Sequence, residues 1–231
     1  MKLNFEALNV HRTIIRYLAF FGGLFLVANG AVCTINASLG VNPWDVFHIG
    51  MATQTGLTIG RIHQLTGFTV LAISYFFKVR IHIGTVLNMI FLGLFIDMVI
   101  TLDYLPYPNQ LWTAILLYLV GVIVFGLGVA LYISPNVGAG PRDSLMLALT
   151  KATRLKTGVI RTIMEVAVAI IGYLLGGPLG FGTVIFALTL GFFMEIGFAL
   201  VRWIKKTSLF NRIWCGSYRF RSSTNPTRKY Y

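Results

Sequence analysis

The chain has 231 residues, 56% of them hydrophobic and only 11% charged, with a mean hydropathy of +0.77. That balance is too apolar for a water-soluble domain of this length and points to a membrane protein. The formal net charge of +12 invites a nucleic-acid reading. A basic fringe beside apolar spans more often sets topology and contacts anionic lipid, so nucleic acid is set aside as a partner.

Six apolar stretches reach or approach the length that crosses about 30 Å of hydrocarbon. They lie at 14–36, 59–77, 84–101, 112–133, 158–175 and 183–204. Lipid offers the backbone no hydrogen-bond partners, so these stretches are expected to be helices. The first is long for a signal peptide and no small-x-small cleavage site follows it, so it is expected to remain as a membrane helix. The second is the most polar at its start, where Arg61, His63 and Gln64 stand.

Between the first two stretches lies GVNPWDV, from Gly40, and between the fourth and fifth lies GAGPRDS, from Gly138. Pro43 and Pro141 suit the first turn of a helix, which puts Asp45 and Asp143 near the positive end of its dipole. The stretches they open, 43–56 and 141–154, are too short and polar to cross alone. They read as interfacial or re-entrant half-helices. One reading of Gly40, Pro43, Gly138, Gly140 and Pro141 is a well-capped turn. The other is a pair of half-helix ends lining a polar path.

These two motifs belong to a duplication. A constant offset of 98 residues matches Gly40 to Gly138, Gly60 to Gly158, Gly84-Thr85-Val86 to Gly182-Thr183-Val184 and Gly93 to Gly191. A repeat of this length is a whole structural unit. The expected units are an N-terminus at 1–13, a first membrane repeat at 14–101, a linker at 102–111, a second repeat at 112–204 and a basic tail at 205–231.

Lys and Arg cluster before the first span, at Lys78 and Arg80, at Arg142, Lys151, Arg154 and Lys156, and in the tail. The alternate loops are poor in them. The positive-inside rule then puts both termini in the cytoplasm. The outer linker carries Tyr104, Tyr107 and Trp112, which suit an interfacial aromatic belt. Arg61 is the one basic residue on the wrong side. Three spans per repeat is an odd number, so the second copy must enter from the opposite face. The expected fold is therefore all-α and polytopic, two inverted three-helix repeats with short half-helices.

The duplication carries ionisable residues with it: Asp45, His63 and Asp97 match Asp143, Arg161 and Glu195. Read functionally, these are mirrored polar clusters at the two mouths of a path. Read structurally, they are helix-end charges pairing at the interface. Glu165 faces Gly67 in the repeat and follows Arg161 by four residues. It is either half of an ion pair along one helix face or an acid that meets substrate or protons. The run GGPLGFGT at 176–183 lacks the Lys-Ser/Thr of a phosphate loop and reads as a tight turn. Cys33 and Cys215 suggest neither disulfide nor metal site. No metal-ligand spacing, nucleophile elbow or catalytic acid–base pair is legible, so the chain is expected to be neither an enzyme nor dependent on a cofactor.

The order GAGPRD, VIRTIME, LLGGPLGFGT resembles the YczE/YyaS/YitT family of bacterial integral membrane proteins over roughly 14–204. The resemblance implies a multi-helix protein of the bacterial plasma membrane and supplies no activity. The leading expectation is a transporter of a small molecule or ion. The alternative is a non-transporting regulatory or scaffold protein whose basic inner face holds anionic lipid or a partner. Self-association and an energising subunit are compatible with either.

Overall fold

A computed structural model of the chain describes residues 2–77, 82–138, 140–153 and 155–206. Lys78, Arg80, Arg154 and the tail from 207, with Cys215, lie outside the described residues, as do the side chains of Lys2, Arg12, Lys151, Lys205 and Lys206. The described chain forms α1 (Lys2–Ala37), α2 (Pro43–Thr55), α3 (Ile59–Phe76), α4 (Ile83–Leu102), α5 (Leu111–Ile133), α6 (Pro141–Thr153), α7 (Thr157–Leu174) and α8 (Phe181–Lys206). Shifted by 98 residues, the starts of α2, α3 and α4 fall on those of α6, α7 and α8. The protein is an all-helical polytopic membrane protein. α1 begins at Lys2, ahead of the expected span at 14, so the N-terminal segment continues that helix.

Local chemistry explains the short helices. Pro43 opens α2 behind Asn42, whose side chain accepts from the Trp44 N–H, and Gly56 ends it in the left-handed region. Pro141 likewise stands at the start of α6. Gly40, at φ 118°, turns the chain into α2 through a conformation that a side chain would strain. Gly138 is required by proximity instead, because a Cβ there would sit 2.6 Å from the carbonyl carbon of Gly84.

Five described helices are long and apolar enough to cross a membrane: Thr13–Ala37, Ile83–Leu102, Leu111–Ile133, Thr157–Leu174 and Phe181–Ile204. The exception among the six expected spans is α3, which forms as an 18-residue helix but does not meet the same test of apolarity. Its polar start is the reason, and that start is partly satisfied by protein: Gln64 Nε2 donates to the Ile90 carbonyl at 2.9 Å. Large apolar side chains such as Phe76, Phe181 and Leu188 are more than three-quarters exposed while Asn42, Asp45, His48 and Asn88 are buried. That distribution suits lipid outside and polar groups within.

α1 and α5 form the central seam. Gly23 lies against Gly128 and Tyr132, and Gly30 against Gly121 and Phe125. Rising numbers on α1 meet falling numbers on α5, so these repeat-related helices run antiparallel. Small residues permit that approach between membrane helices. Arg16 extends the seam by donating to the Pro135 carbonyl at 2.8 and 3.1 Å. Around the seam α4 packs on α1 and α8 on α5, whereas the half-helices cross over, α2 packing on α7 and α6 on α3. The loops cross too. Leu39 accepts from the Gly182 N–H at 2.8 Å, and Gly138 abuts Gly84 and Thr85. The turn at 176–180, the tempting glycine run, packs against Val46 of α2 and Leu39.

Candidate functional site

The crossed half-helices bring their N-termini to one place. A cavity of about 60 Å³ is lined by Asn42, Trp44, Asp45 and His48 from α2, by His63, Thr66, Gly67 and Val70 from α3, and by Asn88, Leu92 and Ile96 from α4. Val27 and Ala31 of α1 face Phe125, Val129 and Tyr132 of α5 across it, and Gly140, Pro141 and Arg142 of the α6 start close it. Asp45 is held on both oxygens: Asn42 Nδ2 donates to Oδ2 at 3.1 Å, and His48 Nδ1 lies 3.4 Å from Oδ1. The His48 and His63 rings stand 4.9 Å apart. Two buried polar atoms here have no hydrogen-bond partner, Nδ1 of His63 and Nδ2 of Asn88.

A smaller cavity, about 20 Å³, adjoins the first and is lined by Trp44, Arg142, Asp143, Met146, Arg161, Met164 and Glu165. Trp44 and Arg142 line both cavities and are themselves separated by the repeat offset of 98. The same shift carries Asp143 to Asp45, Met146 to His48, Arg161 to His63, Met164 to Thr66 and Glu165 to Gly67. Every residue of the small cavity therefore has its repeat partner in the large one. Met164 and Glu165 stand where Thr66 and Gly67 leave room, and the large cavity alone extends to α1, α4 and α5. Within the small cavity Arg161 Nε donates to Glu165 Oε1 at 3.0 Å, the expected pair along α7.

The remaining sequence candidates lie elsewhere. Asp97 accepts from Thr58 Oγ1 at 2.6 Å and from the Gly60 N–H at 2.8 Å, which ties the start of α3 to α4. Glu195 is exposed on α8 and lines neither cavity. α3 packs along α4, whereas their counterparts α7 and α8 make no comparable contact. The expected trios are thus divided: Asp45 with His63 and Asp143 with Arg161 reach the cavities, and the two C-terminal acids do not. Sequence reasoning passed over Asn42, Trp44, Asn88, Tyr132 and Arg142 as site residues. Asn88 left the clearest signal, an amide within an apolar helix.

A family of unknown function, DUF6198, matches residues 14–198. The chain belongs to this family. Relatives of the chain include the "Uncharacterized membrane protein YczE" of Bacillus subtilis, 35% identical over 79% of this chain and 85% of the relative. A Haemophilus influenzae protein is 36% identical over 79% of this chain and 84% of that one. The Bacillus subtilis protein YyaS is 25% identical over 74% and 86%. No solved structure matches the chain.

Proposed function

We propose that this protein is a transporter of a small solute or ion in the bacterial plasma membrane, working through a polar path between two inverted repeats. The observation that carries the reading is the pair of repeat-related cavities on either side of Trp44 and Arg142. A path built this way has the same wall chemistry twice, once from α2 and α3 and once from α6 and α7. Antiparallel α1 and α5 support the inversion, and broken helices that end at a central cavity are a recurring device of such transporters.

The remaining support is an asymmetry. In repeat 1, α3 is latched to α4 through Asp97 and the close approach of Gly60 to Gly93. In repeat 2, Gly158 and Gly191 have open space beside them. Two related interfaces, one shut and one open, are what rocking between two access states requires.

The inversion requires α3 to cross the bilayer, and loop sidedness tests it. Ser38 and Asn136 are exposed and repeat-related, and both have positive φ, 55° and 54°. With Cys33 and Cys215 replaced by Ser, Ser38→Cys is expected to label from outside intact cells with an impermeant thiol reagent. Asn136→Cys is expected to label only after permeabilisation. Labelling of both from one side removes the inverted arrangement and the transport reading built on it.

A further inference from the structure

We propose that the larger cavity binds a small oxyanion, a solute presenting a carboxylate or phosphate-type group, through Asn88, Arg142 and the N-terminus of α6. Its biological role rests on the transport reading, but the site itself is defined by unpaired donors. Asn88 is 3% exposed, and its Nδ2, though near the Tyr132 hydroxyl, makes no hydrogen bond of ordinary geometry. A buried donor left in that state is costly unless something else satisfies it. Among the described residues the Arg142 guanidinium has neither a hydrogen bond nor a carboxylate within 4.0 Å, although it lines both cavities.

The two half-helix ends differ in the same sense. Both carry an acid in the first turn, Asp45 and Asp143, but α2 is also capped by the Asn42 side chain. At the position matching Asn42, α6 has Gly140, which supplies no capping oxygen. A Cβ there would be 3.6 Å from Asn88 Oδ1 and Asp143 Oδ2 and 3.8 Å from the Tyr132 hydroxyl, so that end stands beside the Asn88 amide at the cavity wall. A helix N-terminus without its own cap, beside a guanidinium and a free amide, is a place for acceptor oxygens.

The rival reading, an organic cation on Asp45 and Trp44, meets a specific obstacle. Both Asp45 oxygens already have partners in Asn42 and His48. The Asn88 amide and the Arg142 guanidinium call instead for acceptor oxygens.

Binding tests this without requiring solute to cross. The full chain is purified in detergent, and its thermal unfolding midpoint is followed against acetate and inorganic phosphate. Acetamide and methylammonium serve as neutral and cationic probes, all at matched ionic strength. The expected result is a saturable rise with at least one of the two anions and none with acetamide or methylammonium. Half-saturation should weaken about tenfold or more in Arg142→Gln and in the near-isosteric Asn88→Asp, and should be unchanged in Glu195→Gln. Asn88→Asp keeps the side-chain shape, and monodispersity by size exclusion checks its folding.

The proposal is overturned by the absence of a saturable shift with either anion, or by a shift that survives both variants. It is also overturned by a methylammonium shift that disappears in Asp45→Asn. Proteoliposome flux separates the two readings: anion binding without anion flux keeps the site and removes transport.

Discussion

At the scale of single residues, the duplication allows one substitution to be made twice with opposite expectations. A Cβ on Gly60 would collide with the Gly93 carbonyl and sit 2.6 Å from Cγ of Asp97, whereas one on Gly158 meets nothing within 4 Å. Gly60→Ala must push apart two backbones and disturb the Asp97 latch, and is expected to cost about 1–3 kcal/mol. Gly158→Ala removes a flexible residue from a helix and is expected to be neutral or stabilising by up to about 1 kcal/mol. Thermal unfolding of the purified variants checks both, and equal effects would mean that the two interfaces do not differ as described. The same comparison separates Asp97 from Glu195. Their matched positions suggested matched duties, yet Asp97 fastens the start of α3 and Glu195 stands exposed. Sequence offset preserves where a residue sits on its helix. It does not preserve whether the neighbouring helix is near.

At the scale of helices, Pro43 and Pro141 marked the half-helix starts to the residue, because proline at the first turn and glycine before it are local signals. The apolar runs marked the long helices for the same reason. Their partners were not legible, because packing of α2 on α7 and α6 on α3 leaves no periodicity in either stretch. That crossing is what joins Trp44 to Arg142 and makes adjoining cavities out of two clusters expected at opposite mouths. It also leaves α7 and α8 apart, the pair that would move under the proposed transport reading. If repeat 2 closes as repeat 1 has, Lys156 and Glu195 take the places of Thr58 and Asp97, with an ion pair in place of a hydroxyl–carboxylate hydrogen bond. In membranes, the double variant Thr58→Cys/Asp97→Cys should therefore cross-link readily with a short bifunctional thiol reagent. Lys156→Cys/Glu195→Cys should cross-link more slowly but to a measurable yield. No yield at the second pair would make the α7–α8 gap permanent and remove rocking as the mechanism.

At the scale of the whole molecule, the repeats are two sequence units but not two folding units. Each half-helix is buried against the other repeat, and α1 and α5 meet along glycines that have no other neighbour of comparable closeness. A repeat alone would leave Asp45 or Asp143 without its wall and would expose the glycine seam to lipid. Burying polar groups from lipid is the dominant constraint on such a chain, so each half should depend on the other for survival. Cutting the chain in the linker between α4 and α5 and expressing residues 1–106 and 107–231 separately is expected to give rapid degradation of each. Co-expression should restore both and let a tag on one half recover the other. Gly30→Leu in the first half should abolish that recovery, because even a Cβ at Gly30 would stand 2.6 Å from the Gly121 carbonyl oxygen and the Phe125 nitrogen. Stable accumulation of residues 1–106 alone would mean that α2 can be satisfied within its own repeat. The crossed packing would then be incidental, and the shared wall of Trp44 and Arg142 would lose its claim to be the centre of the protein.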